Sequence, residues 1–196
     1  MKNLFTIFML AMLAMAVTFT SCEKDEDDDE TAGQALVDGN KATFDKGYLE
    51  YYGDYGNDGY NWDLTLLSSS INFDTETGNG DMIYFETFTS TAAYNGGTFA
   101  YANTYAANTF DYAWIIINGN WGEGTADHYY VATGGSLNVT PSGNNYEITF
   151  NLTAQEYSLS TFAAIGDPVA VTGSYTGGLT EDAKKSRDLK ISFVKE

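Results

Sequence analysis

The feature that most constrains this chain is an alternation with a period of two. Between Tyr146 and Thr153, the residues Tyr146, Ile148, Phe150 and Leu152 fall on one side, and Glu147, Thr149, Asn151 and Thr153 on the other. Successive side chains of a β-strand point to opposite faces, so this segment reads as a strand with one apolar and one polar face. Just upstream, Leu137 and Val139 alternate with Asn138 and Thr140. Between the two runs stands Pro141-Ser142-Gly143-Asn144-Asn145, a cluster of turn-forming residues. The pair is a β-hairpin. After residue 35 no apolar recurrence at i, i+3, i+4, i+7 is sustained, so nothing there reads as a helix.

The same pattern recurs along the chain. Gly47 to Tyr52 and Trp62 to Leu67 flank a Gly/Asn/Asp-rich loop; Ile71 to Phe73 and Met82 to Phe88 flank another. Gly97 to Tyr101, Phe110 to Ile117, Tyr129 to Ala132 and Val169 to Tyr175 follow, and Leu189, Ile191 and Phe193 alternate in a terminal strand. Phe110 to Ile117 is strongly apolar, which suits a central strand. The chain is therefore expected to be all-β. The expected architecture is a single antiparallel β-sandwich of about ten strands. A closed, lipocalin-like β-barrel is the alternative, because both show the same alternation. No Pro/Ser-rich linker interrupts residues 33–196, which read as one domain.

The first 32 residues have a different character. Lys2 precedes an apolar run from Leu4 to Phe19, and the run ends in Phe19-Thr20-Ser21-Cys22. The run suits a signal peptide and is short for a membrane span. A Cys directly after small residues at this point resembles the lipobox of bacterial lipoproteins, with Phe19 standing where that family usually has Leu, Val or Ile. The resemblance implies a signal peptide over residues 1–21, cleavage before Cys22, and acylation of Cys22, with palmitate among the acyl chains. Two or three chains anchor a protein stably in a bilayer. Residues 22–32 carry the lipid and an acidic tether, Glu23-Lys24-Asp25-Glu26-Asp27-Asp28-Asp29-Glu30. This run resembles the export signal of surface lipoproteins of the Bacteroidota, which implies an outer-membrane anchor and a domain facing the cell exterior. Residues 135–153 and 171–180 also look like the C-terminal strands of small β-rich lipoproteins of that group. That likeness implies fold and surface context and carries over no catalytic residue.

Charge narrows the partners. The chain has 27 acidic and 9 basic side chains, for a net charge of −18. Sixteen of the acids lie between Lys46 and Lys184, a stretch with no Lys or Arg. Such a field repels polyanions, which argues against nucleic acid as a partner. The single Cys and single His exclude an internal disulfide and a cysteine-rich zinc site. Two Asp-rich loops offer weak calcium candidates, Asp54 and Asp58 in the first and Asp74 and Asp81 in the second. Starting an EF-type loop at Asp54 puts Gly56 at the third position and Thr65 at the twelfth, where a bidentate Glu is required. That motif fails, and the favoured reading is hairpin turns with no bound metal or other cofactor.

Aromatic residues supply the candidate contact surface. Tyr and Trp combine a flat apolar face with a polar edge, which suits stacking on sugars and protein interfaces. Trp62 and Trp114 sit in apolar strands and are expected in the core. Tyr55, Tyr60, Tyr94 and Trp121 fall in or near loops and are the candidate binding residues. There is no G-x-S-x-G elbow, P-loop or H-E-x-x-H motif, and His128 stands alone. The expectation is a non-catalytic surface lipoprotein that binds a glycan or a protein. The alternatives are an accessory subunit of a surface assembly and a glycan-active enzyme using a carboxylate pair.

Overall fold

A computed structural model describes residues 32–182. The signal peptide, Cys22, the acidic run and the expected terminal strand at Leu189–Phe193 lie outside the described residues.

The described chain forms eleven strands: β1 (Gly33–Val37), β2 (Asn40–Phe44), β3 (Lys46–Asp54), β4 (Tyr60–Leu67), β5 (Asn79–Thr89), β6 (Gly97–Tyr101), β7 (Thr109–Asn120), β8 (His128–Ser142), β9 (Asn145–Tyr157), β10 (Ala164–Gly177) and β11 (Leu179–Asp182). They make one sheet in the order β11-β3-β4-β5-β7-β6-β8-β9-β10-β1-β2. The all-β expectation holds. The expected antiparallel sandwich does not, because the sheet is one mixed ladder curled into a half-barrel. Most neighbours are antiparallel, but β11 runs parallel to β3 and β6 runs parallel to β7. A sandwich needs a break between two ladders. Here hydrogen-bonded pairing continues without one from β11 to β2.

Local chemistry explains most of the strands. β8 and β9 form the hairpin around Gly143-Asn144, with Ser142 opposite Asn145. The β1–β2 hairpin was not read from the sequence. Its two-residue turn is Asp38-Gly39, with φ of 47° and 81°. Both central residues of a type I′ turn need positive φ, and Asp-Gly is a preferred pair for it. Tyr129–Ala132 and Leu137–Val139, expected as two strands, are one long β8 with a bulge between Ala132 and Gly134. Ile71–Phe73 is not a strand; it lies in a loop held by a single bridge between Asn72 and Thr77.

The two faces of the sheet bury different sets of residues. The concave face holds the main core, in which Phe44, Leu64, Phe85, Phe99, Phe110 and Leu137 are fully buried. The convex face holds a second cluster that includes Leu67, Met82, Tyr84, Trp114, Ile116 and Tyr129. Loop residues Ile71, Phe73 and Trp121 belong to this cluster, with Phe73 stacked on Tyr48 at 4.5 Å.

The curl brings the ends of the sheet together. β2 ends at Phe44 and β3 starts at Lys46, so the single residue Asp45 links one end of the strand order to the other. Side chains stabilise this junction. Asp81 Oδ2 accepts the Thr43 backbone N–H at 2.8 Å, and Asp81 Oδ1 accepts the Asn118 N–H at 2.9 Å. Ser68 Oγ donates to the Thr43 carbonyl at 2.9 Å and accepts the Asp81 N–H at 2.8 Å. Asp81 is 7% exposed and Ser68 is 8% exposed. Asp81, a weak calcium candidate on sequence, uses both carboxylate oxygens to hold backbone from β2 and β7. Replacing Asp81 by Ala leaves two N–H groups without their acceptors. Charge-assisted bonds of this kind contribute about 1.5–3 kcal/mol each, so Asp81→Ala should lower unfolding free energy by about 3 kcal/mol in a urea titration. An unchanged midpoint would show that the junction does not depend on this carboxylate.

Candidate functional site

The convex face of β3, β4, β5 and β7 carries side chains in rows that cross the strands. Registers place Tyr48, Thr65, Tyr84 and Trp114 side by side. The next row is Glu50, Asp63, Glu86 and Tyr112. The row beyond it holds Asn61, Phe88 and Thr109. Adjacent strands are about 4.8 Å apart, so the middle row sets carboxyl groups on neighbouring strands between two partly aromatic rows.

A bulge extends the acidic row. Glu86 pairs with Tyr112 and Thr87 with Phe110, which leaves Asp111 as an extra residue on β7. A bulge redirects side chains locally, and Asp111 comes to hydrogen-bond the Glu86 carboxyl. Asn61 Nδ2 also donates to Glu86 Oε1, at 3.3 Å.

Burial decides the protonation of this row. Asp63 is 4% exposed. Desolvation lifts its pKa from 3.8 to about 8, and the charges of Glu86 and Glu50 add to the rise. The Tyr84 hydroxyl, which faces the same carboxyl, pulls the other way. Glu86 rises from 4.5 to about 7, first through desolvation and then through the Asp111 charge. Asp111 is also raised, mainly by desolvation. Like charges opposite each other destabilise a sheet, and bound protons remove that repulsion. Asp63 Oδ1 and Thr65 Oγ1 are buried without a hydrogen-bond partner among the described residues.

The row runs from buried to open. Asp63 and Thr65 lie at the covered end. Glu86 and Asp111 are half-buried, and Tyr112 beside them is exposed. Tyr55 and Tyr105 are also exposed, and both rings pack on the buried Phe88, at 5.6 and 4.8 Å. The charges of Glu86, Asp63 and Asp111 act on the Tyr55 hydroxyl and help to raise its pKa, after desolvation. The result is an exposed tyrosine rim beside a floor of carboxyl groups.

Of the four expected binding residues, only Tyr55 is exposed. Tyr60 is half-buried against the main core. Tyr94 is 6% exposed because its loop folds back over the concave side, where the ring packs on Trp62 at 5.6 Å. Trp121 is 4% exposed, and its loop folds over the convex side onto Trp114 at 6.4 Å. The expectation of exposure fails at these three positions because chain position alone does not reveal a loop's return to the sheet. Tyr105 and Tyr112 were not chosen from the sequence. Tyr112 shares the parity of Phe110, Trp114 and Ile116 along β7, so alternation gives no signal for its exposure.

The calcium candidates do not come together. Asp54 accepts the Gly56 N–H at 2.7 Å within its own turn. Asp58 lies in a short 3-10 turn at Gly56–Asp58, and Asp74 lies exposed in a separate turn near Asn72. Among the described residues, no three His, Cys, Asp or Glu side chains converge as a metal-holding group. His128 Nδ1 is 2.7 Å from Glu156 Oε1, linking β8 to β9. A groove lined by Leu36, Lys41, Thr172 and Ser174 lies on the far strands β1, β2 and β10.

Comparison of the chain with protein-family models, curated proteins and solved structures returned no match.

The raised carboxyls set a pH dependence. A carboxyl whose folded pKa exceeds its unfolded value holds its proton longer in the fold, so stability falls as pH rises. For Asp63 and Glu86 that loss spans from about pH 4 to about pH 8 and then levels off. Asp63→Asn cannot ionise. In thermal unfolding it should match the wild type near pH 3, below the unfolded pKa of the carboxyl, and exceed its melting temperature near pH 9. Equal melting temperatures at pH 9 would show that Asp63 ionises at no cost to the fold.

Proposed function

We propose that this chain is an outer-membrane-anchored, cell-surface lipoprotein whose β-domain is a non-catalytic module for glycan or protein binding. The observation that carries the binding role is the exposed rim of Tyr55, Tyr105 and Tyr112 beside the half-buried Glu86–Asp111 pair. Tyrosine rings offer flat apolar faces to a sugar ring or a peptide, and carboxyl oxygens accept hydroxyl or amide hydrogens. Glycoside hydrolysis suits this pair less well. Retaining hydrolases hold their two carboxyls about 5–5.5 Å apart and inverting ones further, whereas Glu86 and Asp111 share a hydrogen bond. The anchor rests on the lipobox-like position of Cys22 and on the acidic run behind it.

A glycan array probed with the full chain in detergent tests the binding role. Enrichment of a glycan family is expected, and Tyr55→Ala and Tyr105→Ala should each weaken it about tenfold, equivalent to about 1.4 kcal/mol. An array with no enrichment and no captured peptide, with the fold intact, would count against a binding module. The anchor has its own assay: cells fed a tagged palmitate should label the wild type but not Cys22→Ser. Display is read by adding proteinase K to whole cells, which should remove the domain. Trypsin is unsuitable for this, because residues 47–183 contain no Lys or Arg.

A further inference from the structure

We propose that the row formed by Asp63, Glu86 and Asp111 on the convex face is a binding site for a linear aliphatic polyamine. The proposal concerns the acid floor and stands whether or not the tyrosine rim also holds a glycan.

Four observations lead there. First, the acids form a line rather than a cage. Asp63 and Glu86 face each other across β4 and β5, and the β7 bulge adds Asp111 on the next strand. Calcium asks for six to eight converging oxygens, and among the described residues no such convergence exists. A line of carboxyls about one strand spacing apart matches charges strung along an alkyl chain. Second, the covered end offers acceptors that nothing in the described fold satisfies. Asp63 Oδ1 and Thr65 Oγ1 lack partners, with Asp63 4% and Thr65 1% exposed. Thr65 lies two residues along β4 from Asp63, on the same face. An ammonium group carries only donors, which is the complement such a site lacks.

Third, the flanks are aromatic. Tyr84 lies on one side of Asp63 and Glu86, and Phe88 with Tyr55 on the other. Ring faces attract ammonium groups and pack against methylenes. Fourth, the site opens at Glu86 and Asp111, and the chain's charge of −18 draws cations toward it. In the empty site burial favours the protonated form of Asp63 and Glu86. An entering ammonium favours their ionised form, so binding releases protons to the buffer.

Calorimetry of the full chain with spermidine, at pH 7 and 150 mM salt, tests this. A saturable isotherm is expected, with heats that differ between buffers of different ionisation enthalpy because protons are released. Asp63→Asn and Glu86→Gln should each weaken binding at least tenfold. Glu147→Gln, an exposed acid on β9, should leave it unchanged, and so should the fold of every variant by near-ultraviolet circular dichroism. The proposal is overturned by no saturable heat in the wild type. It is also overturned by wild-type affinity in both Asp63→Asn and Glu86→Gln, or by an equal loss in Glu147→Gln, which would mean a diffuse field. The glycan array is read separately. A positive array without spermidine heat sinks this proposal alone, and spermidine heat with an empty array sinks the glycan reading alone.

Discussion

The fold depends on how a curled sheet is stabilised where its ends meet. An edge strand presents backbone groups that need partners. At Thr43 on β2 those partners are side chains: Asp81 takes the N–H, and Ser68 gives its hydroxyl hydrogen to the carbonyl. The same Asp81 reaches the Asn118 N–H on β7. Two buried polar residues thereby join β2 to strands far from it in the hydrogen-bonded order. This stabilises the bend at Asp45, through which the chain steps from one end of the sheet to the other. It also keeps Ala42 and Phe44 sealed in the core.

The curl gives the two faces separate roles. The concave face closes on itself and becomes a core of interlocking aliphatic and aromatic side chains. Among the described residues no second sheet covers the convex face. Loops carrying Ile71, Phe73 and Trp121 fold over one end, and Tyr55 and Tyr105 shelter Phe88 at the other. Between these covers lies the acidic row. Bulges do the fine placement: one admits Asp111 beside Glu86, and another sets Asn118, at a φ of 52°, within reach of Asp81.

Carboxyl groups facing one another across a sheet oppose folding unless protons or a ligand neutralise them. Apolar residues at these positions would remove the repulsion and the unsatisfied acceptors together. Sites that break the local rules of a stable sheet are where function concentrates. The contrast with Asp81 is instructive. Both Asp63 and Asp81 are buried, but Asp81 is matched to two backbone donors, whereas Asp63 meets one hydroxyl, that of Tyr84, and otherwise the charges of Glu86 and Glu50.

Much of the fold was legible because it depends on local chemistry. Alternation and apolar runs marked the segments of β3 to β10, with β8 split in two and an extra strand expected at Ile71–Phe73, since a half-buried strand must show its two faces in sequence. The Asp38-Gly39 hairpin escaped the sequence reading, because no strong alternation stands beside the turn. Which strands pair at a distance, and whether the ladder breaks into a sandwich or curls, follows from contacts between Asp81, Ser68 and Thr43 that lie 13 to 38 residues apart. The site divides in the same way. Sequence marked Tyr55 and the acid-rich, base-free stretch, because composition and turn residues are local properties. It misplaced Tyr94 and Trp121 and gave no reason to group Asp63, Glu86 and Asp111, which neighbour one another only through β4–β5–β7 register and one bulge. Sequence alone determined that this chain makes strands, because side-chain alternation is a property of the backbone period. Tertiary structure decided which acids share a face, because strand register brings distant residues side by side and burial then sets their charge.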